Sequence, residues 1–196
     1  MNEVVVISDN QYFLIGFSAI HPADKVVNLL NPDQTNIKDM SFHRAEAVFV
    51  FISDIEMHRE ICKKLQGYTG AVRFFFRFSR DLIGYDRVFW DSRMPLKTCH
   101  LKLSKIYRSR FNLVGYTPRK KHCPLLIMMS QGINVYIEWL QRCNFDAKKT
   151  HSSHRKLLRS IGYSSVNIHN LFHSEYLAPS IRVISKIKDN SSQYVY

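Results

Sequence analysis

The fold of the first half is decided by residues 47–65, which run AVFVFISDIEMHREICKKL. The segment Ala47–Ile52 is apolar, β-branched and aromatic, which is typical of a strand buried on both faces of a parallel sheet. Ser53 and Asp54 end that strand, and Ile55–Leu65 then has apolar residues at helical spacing. A buried strand followed at once by a helix predicts a strand–helix–strand unit.

The same alternation recurs on both sides of this stretch. Further strands are predicted at Val4–Ile7, Val26–Leu30, Arg73–Phe78 and Arg87–Trp90, and helices at Phe13–Ile20 and Pro95–Tyr107. Strands that alternate with helices predict an α/β N-terminal domain built on a doubly wound, parallel sheet. Phe74, Phe75 and Phe76 are therefore expected in a core strand rather than on a platform for stacking nucleic-acid bases, and Trp90 in the core.

The positive charge of the chain is concentrated in its second half. The 196 residues hold 28 Lys and Arg against 16 Asp and Glu, a net charge of +12. Residues 1–103 hold 13 basic and 12 acidic residues, whereas residues 104–196 hold 15 and 4. This asymmetry predicts a nearly neutral first domain and a second domain that binds a polyanion such as nucleic acid.

Composition and segment patterns exclude several classes of protein. Hydrophobic residues make up 45% of the chain, which excludes a wholly disordered protein. The sequence has no apolar run of about 18 residues, so we expect no membrane partner. The four cysteines form no CxxC pair, and the first residues lack the basic flank of a signal peptide. These features predict a cytoplasmic protein with reduced cysteines.

The segment Arg108–Pro124 is the predicted seam, because it contains Gly115, Pro118 and the basic run Arg119–Lys121. We therefore predict four parts of the chain. They are an α/β domain at 1–107, a linker at 108–124, an all-α helix-turn-helix domain at 125–178 and a tail at 179–196.

Four helices are predicted in the second half, at Leu125–Gln131, Val135–Arg142, Lys148–Ile161 and Ser165–Tyr176, and Gly162 ends the third. The third helix has two different faces. Its packed face comprises Thr150, His154, Leu157, Leu158 and Ile161. Its polar face comprises Lys148, Ser152, Arg155 and Arg159, flanked by Lys149, Ser153 and Lys156. A helix that packs on one face and presents Lys, Arg and Ser on the opposite face can bind in the major groove of DNA through the polar face.

The sequence THSSHRKLLRSIG at 150–162 is similar to the recognition helix of LuxR/NarL-type transcription factors, and Ser130–Gly132 resembles the turn of that family. The resemblance implies a DNA-binding site in this helix. It implies base contacts from Ser152, Ser153 and Lys156, and phosphate contacts from Lys148, Lys149, Thr150, His154 and Arg155. Arg159 lies on the same face.

Three polar residues, Asp9, Asp54 and Ser79, each follow an apolar strand, and Asp54–Met57 (DIEM) resembles the acceptor motif of response-regulator receiver domains. The resemblance implies a phosphoacceptor at Asp54, a Mg²⁺ ligand at Asp9 and a switch hydroxyl at Ser79. Ser8 stands where that family has a second acid, and Ser92 where it has Lys. Because metal and Lys offset the repulsion between anions during phosphoryl transfer, we expect a vestigial phosphoacceptor site without a cofactor.

The combination of a degenerate receiver-like domain and a LuxR-type helix resembles enterobacterial regulators of fimbriae and capsule. It implies a phosphorylation-independent transcriptional regulator of surface-structure or virulence genes. Its partners would be double-stranded DNA and a second subunit, in a homodimer or in a heterodimer with a related response regulator. The helix at Pro95–Tyr107 is a candidate pairing surface. The alternative is an antagonist that pairs with a related regulator and binds DNA poorly.

The sequence has few motifs that are typical of catalysis or metal binding. The chain has no Gly-rich phosphate loop and no GxSxG motif, so Asp54 is its one candidate for catalysis and we predict that it is not an enzyme. The pairs His151/His154 and His169/His173 have spacings that suit zinc on a helix, but neither forms an HExxH motif. We therefore predict no metal site.

Overall fold

The computed structural model describes residues 3–20, 26–42, 44–76, 89–108, 123–142, 152, 155 and 177–184. These residues fall into two compact units. The sheet unit comprises the described residues of 3–57, 68–76 and 89–108. The helical unit comprises 58–67, 123–142, 152, 155 and 177–184.

The sheet unit is built on five parallel strands. They are β1 (Glu3–Ser8), β2 (Val26–Leu30), β3 (Ala45–Phe51), β4 (Ala71–Phe76) and β5 (Phe89–Asp91). Their order in the sheet is β2-β1-β3-β4-β5, and every neighbouring pair is parallel. This is the doubly wound order in which the chain reverses its direction of winding between β1 and β3. The predicted α/β class of the N-terminal domain is confirmed.

Three helices follow strands of this sheet. They are α1 (Gln11–Ile20), α2 (Ile55–Leu65) and α3 (Leu96–Arg108), and a 3-10 turn at Ile37–Asp39 lies between β2 and β3. The bounds of α2 and of β2 are those predicted from the sequence. The other elements differ from the predicted bounds by one or two residues at an end, where assignment is least definite. Asn10 begins α1, because its Oδ1 accepts the N–H of Phe13 at 3.1 Å.

One face of the sheet packs against α1 and α3 in an aromatic core. The ring of Phe75 lies edge-on to Trp90, with centroids 5.2 Å apart, and Phe49 lies 6.3 Å from Phe75. Leu14 and Leu103 complete this core from the two helices. All of β4 is buried, which is the pattern of a strand covered on both faces. The prediction that Phe74, Phe75, Phe76 and Trp90 belong to the core is confirmed.

The described residues of the helical unit are helical apart from short turns. Helices α4 (Cys123–Gln131) and α5 (Ile133–Arg142) pack together, and residues 177–184 are also helical. Gly132 separates α4 from α5 with a φ of 128°, in the left-handed region that favours glycine. The amide of Tyr136 donates to the carbonyl of Gly132 at 3.1 Å, so α5 begins directly after the break.

Residues 179–184, which the sequence predicts to be part of the tail, are helical. They continue a helix in which Leu177, Ala178 and Ile181 are fully buried. Every residue from 177 to 183 is buried, including Ser180 and Arg182, so this helix is covered on all sides and not on one apolar face. Residues 185–196 of the predicted tail lie outside the described residues.

The two units divide the chain differently from the predicted seam. Helix α2 begins in the sheet unit and passes after Met57 into the helical unit, so residues 58–67 group with the C-terminal part of the chain. Composition and charge do not indicate that residues 58–67 belong to the helical unit, because α2 follows β3 without a linker. In the described ranges, no helix is long and apolar enough to cross a membrane.

Candidate functional site

The carboxyl ends of β1 and β3 bring Asp9 and Asp54 together, as the sequence predicts. Asp9 Oδ2 accepts the backbone N–H of Ser53 at 2.6 Å and that of Asp54 at 3.1 Å. This carboxylate therefore ties the end of β1 to the loop that leads from β3 into α2. Because β1 and β3 flank the point where the winding of the sheet reverses, the contact lies where ligands bind in doubly wound proteins.

Asp54 is the N-cap of α2. Its Oδ1 accepts the N–H of Met57 at 2.8 Å, which satisfies one of the amides that a helix leaves unpaired at its start. The residue is exposed, so its carboxyl group is also accessible to solvent. Asp54, the predicted phosphoacceptor, thus has a structural role as the capping residue directly before α2.

Ser8 and Asp9 do not fit a resident Mg²⁺ ion of the kind that the receiver resemblance implies. Ser8 is fully buried, and its Oγ accepts the N–H of Asn10 at 3.0 Å. Asp9 uses one oxygen for two amides. Mg²⁺ requires nearly octahedral oxygen coordination, and a hydroxyl held by a local turn in place of a second carboxylate is a poor ligand.

The end of β5 lacks the expected Lys and carries an internal ion pair. Arg93 Nε donates to Asp91 Oδ1 at 3.1 Å, and its backbone N–H donates to the same oxygen at 2.9 Å. Asp91 therefore already neutralises this guanidinium. Ser92 stands at the position where the resemblance implies Lys, and Ser79, the predicted switch hydroxyl, lies outside the described residues.

Two residues of the predicted DNA-binding helix are described. Ser152 and Arg155 are both helical and both exposed. The two residues are three positions apart, which is the spacing of neighbours on a helix surface, and residues 153 and 154 between them lie outside the described residues. The other predicted contacts, which lie outside the described residues, are Lys148, Lys149, Thr150, Ser153, His154, Lys156 and Arg159.

A buried polar cluster in the helical unit joins α2 to the helix at 177–184. His58 Nε2 and Ser180 Oγ are 2.9 Å apart, and Cys62 Sγ lies 3.5 Å from His58 Nε2. Burial raises the pKa of the Cys62 thiol to about 12, although Ser180 and Arg182 oppose the rise. Burial therefore keeps this thiol protonated at neutral pH, and the hydrogen bond between His58 and Ser180 connects α2 to the helix at 177–184.

The sequence reasoning missed a second group of residues in the helical unit. Arg59 and Lys63 on α2 lie on the same cavity as Arg182, which is more than a hundred residues further along the chain. The spacing of Arg59 and Lys63 on one helical face was a visible signal. The approach of Arg182 was not visible, because nothing in a sequence pairs α2 with residues 177–184.

Comparison with known proteins gives no family assignment. No family model matches the chain, and no curated protein matches it. Among solved structures, the chain is similar to the Salmonella typhimurium RcsB response regulator, solved in a study of conformational dynamism for DNA interaction. The likeness covers 88% of this chain and 98% of that one, at 12% identity and a TM-score of 0.39. A likeness this distant carries no argument here, and the fold class rests on the strand order itself.

Proposed function

We propose that this chain is a DNA-binding transcriptional regulator of the LuxR type, active in the cytoplasm without phosphorylation and controlling surface-structure or virulence genes. The observation that carries the proposal is the exposed, helical placement of Ser152 and Arg155 within the most basic half of the chain. Double-stranded DNA is the polyanion whose groove matches a single exposed helix.

The chemistry of the two described residues supports this choice. Arg155 supplies a cation that can neutralise a backbone phosphate, and Ser152 is short enough to let the helix approach the edges of the bases. The resemblance of residues 150–162 to LuxR-type recognition helices adds Ser153 and Lys156 as further base contacts. A single helix makes few base contacts, which gives little specificity. We therefore propose that two subunits bind DNA together.

The contacts of Asp9 and Asp54 support independence from phosphorylation. Asp9 accepts two backbone N–H groups of the loop between β3 and α2, and Asp54 accepts the N–H of Met57 in the first turn of α2. Arg93 beside the predicted Lys position is paired with Asp91. An incoming phosphoryl group would therefore meet two carboxylates and a cation that is already neutralised. We accordingly propose that the chain has no enzymatic activity.

The test is selection of DNA by the full-length protein from a pool of random duplexes, followed by mobility-shift titration of the enriched duplex. Full length is needed because residues 58–67 belong to the helical unit. We expect Lys156→Ala to weaken binding about 5- to 100-fold, the loss typical of one base contact. We expect Arg155→Ala to lower the slope of log affinity against log salt by about 0.9, the value of one phosphate contact.

The matched control is Lys38→Ala, which removes an exposed cation of the sheet unit outside the candidate pairing helix. It should leave both affinity and salt slope unchanged. Failure to enrich any duplex, or an equal loss of affinity in Lys38→Ala and Lys156→Ala, would contradict the proposal.

A second candidate function is an antagonist that pairs with a related regulator and binds DNA poorly. The observation in its favour is a set of exposed apolar side chains on α1 and α3, two helices that contact each other. Tyr12 is 87% exposed, Ile15 60% and Leu101 53%. An antagonist would enrich no duplex and would lose its partner when Tyr12→Ser and Leu101→Ser are combined. A regulator that needs a second subunit would instead lose cooperative DNA binding in that double variant.

A further inference from the structure

The solvent-facing side of α1 and α3 carries apolar residues that the sheet does not bury. Tyr12 and Leu101 each stand two positions before a buried leucine, Leu14 in α1 and Leu103 in α3. Residues two apart lie on nearly opposite sides of a helix, so Tyr12 and Leu101 point away from the sheet. Ile15, about one turn after Tyr12, is also exposed. Exposed apolar side chains on helices that contact each other are typical of an interaction surface.

Two lysines flank Leu101 on the outward side of α3. Lys97 and Lys105 stand four positions before and four positions after it, which is the spacing of neighbours on a helix surface, and both are exposed. Among the residues that the structure describes, neither lysine has a hydrogen-bond or ion-pair partner. We call the surface formed by Tyr12, Ile15, Lys97, Leu101 and Lys105 the α1–α3 face.

Two other basic side chains of α3 make contacts within the sheet unit. Lys102 Nζ lies 5.5 Å from the ring centroid of Trp90, and His100 Nδ1 lies 3.0 Å from the carbonyl oxygen of Ile20 at the end of α1. The sequences of α1 and α3 contain no Asp and no Glu. The two lysines of the α1–α3 face are therefore not neutralised by either of the helices that form it.

These charges disfavour a second copy of this chain as the occupant of the α1–α3 face. A symmetric interface between two copies brings the same patch of each copy together. The lysines of one copy would then meet helices without acids, because α1 and α3 hold none. The net charge of +12 adds a general repulsion between copies.

A lipid surface and a nucleic acid also fit the face less well than a protein does. Recognition of anionic lipids typically uses clusters of about 4–8 Lys and Arg, whereas the α1–α3 face is defined by two lysines. A phosphate backbone would pair with these lysines but leave Tyr12, Ile15 and Leu101 without an apolar partner. An acidic segment of a protein can supply carboxylates and apolar side chains together.

The spacing of the lysines sets the pattern of the partner. Lys97 and Lys105 are eight residues apart, which is about 12 Å along a helix. Two carboxylates at the same spacing on a second helix would meet both lysines, and an apolar residue midway between them would lie on Leu101. We propose that the α1–α3 face binds an acidic amphipathic helix of another protein, with the pattern Asp/Glu-x-x-x-Leu/Ile-x-x-x-Asp/Glu.

This inference deepens the proposed function and rests on it in one respect, namely that the second subunit on DNA would be a different, acidic chain. Binding of the acidic helix itself does not require DNA. The two proposals can therefore fail separately.

The experiment is selection of binders to the full-length protein from a displayed library of random peptides of about 16 residues, long enough for four helical turns. The most enriched peptide is then titrated by fluorescence anisotropy. We expect enrichment of the acidic and apolar pattern, and saturable binding of one peptide per chain. Failure to enrich any peptide, or enrichment of peptides without this pattern, would overturn the proposal.

Substitutions on the face distinguish recognition from general attraction of acids to a basic protein. Leu101→Ser should weaken binding of the selected peptide about tenfold, the loss typical of an apolar anchor in an interface. Lys105→Glu should weaken it about three- to fivefold, because an exposed attractive pair becomes repulsive. Lys38→Glu reverses an exposed cation elsewhere in the sheet unit and should leave binding unchanged. Equal losses in Lys38→Glu and Lys105→Glu would contradict a specific site.

An exchange of charge between the partners gives the sharpest readout. A peptide in which Lys replaces both acids should bind the double variant Lys97→Glu and Lys105→Glu more tightly than it binds the parent protein. Equal binding to the two proteins would show that these lysines do not face the acids of the peptide. Because the lysines are exposed, their substitution should not impair folding.

The other occupants are tested by sedimentation of the protein alone and with vesicles of equal parts phosphatidylcholine and phosphatidylserine. A dimer that Leu101→Ser dissociates would assign the face to a second copy, and vesicle binding that Leu101→Ser abolishes would assign it to a membrane. Either result would overturn the proposal. Lys156→Ala should lower DNA affinity and leave peptide affinity unchanged. Loss of peptide affinity in Lys156→Ala would instead place the peptide on the predicted DNA-binding helix.

Discussion

The carboxyl edge of the sheet and the cavity lined in part by Arg59, Lys63 and Arg182 are two charged regions of the described residues, one with acids and one with cations. At the edge, Asp9 Oδ2 and Asp54 Oδ1 accept backbone N–H groups from the loop after β3 and from the first turn of α2. At the cavity, Arg59 and Arg182 are buried and come from helices more than a hundred residues apart in the chain. The acids connect neighbouring segments of the sheet unit, whereas the cations are brought together by the packing of the helical unit.

This difference shows why a position typical of a functional site is weak support for function. Asp9 and Asp54 occupy the carboxyl ends of β1 and β3, where ligands of doubly wound proteins bind. Hydrogen bonds to backbone amides nevertheless give one oxygen of each carboxylate a structural role. Arg182 lies in no recognised motif, yet it is buried and donates to Ser130 Oγ at the edge of a cavity.

Of the substitutions that test this comparison, the one at Asp9 should change stability most. Asp9→Ala removes the acceptor of two backbone amides and should lower the free energy of unfolding by about 2–3 kcal/mol. Urea denaturation followed by circular dichroism measures this change. Asp33→Ala is the control, because Asp33 is an exposed acid of the same unit. This substitution should leave the free energy of unfolding almost unchanged. If the two variants are equally stable, the acid at the edge is available for another role.

An intermediate effect on stability is expected at Gly132, which lies beside Arg59. Gly132→Ala places a Cβ at a φ of 128° and against the Arg59 guanidinium, and should lower the free energy of unfolding by about 1–2 kcal/mol. Gly67→Ala is the matched control, since a Cβ there meets nothing within 4 Å. Equal stability of the two alanine variants would show that Gly132 does not restrain Arg59.

The smallest effect is expected at Asp54. Asp54→Ala removes the N-cap of α2 and should cost about 1 kcal/mol, while Asp54→Asn keeps a capping oxygen and should cost less. Incubation with acetyl phosphate and Mg²⁺, read by mass spectrometry, should give no adduct on the parent protein. A stable adduct that is absent from Asp54→Asn would mean that the carboxyl edge of the sheet still works as a phosphoacceptor site.

Strands and helices were predictable where local pattern and tertiary structure agree. Residues 47–52 are apolar throughout because β3 is covered on both faces, and α2 begins at once because Asp54 caps it. The pattern of Val4–Ile7 predicted β1 for the same reason. Residues 179–184 were misjudged because a short apolar helix near a chain end has too few turns to reveal its period.

The candidate sites were predictable to different degrees. Asp9 and Asp54 were expected to be neighbours because parallel strands place their carboxyl ends at one edge. The hydrogen bonds that engage them depend on loop geometry, which strand patterns do not encode. The basic helix was visible through its charge and its two faces, and its contacts with DNA stay a prediction.

The sequence by itself determined the alternation of strands and helices, the parallel sheet and the concentration of positive charge in the second half, because these follow from local periodicity and composition. Only the tertiary structure decided that Asp9 holds the loop after β3, that residues 58–67 group with the C-terminal part of the chain, and that Arg59 and Arg182 meet at one cavity. The physical reason is distance along the chain. Contacts between residues more than a hundred positions apart depend on how whole helices pack, and no local pattern records that packing.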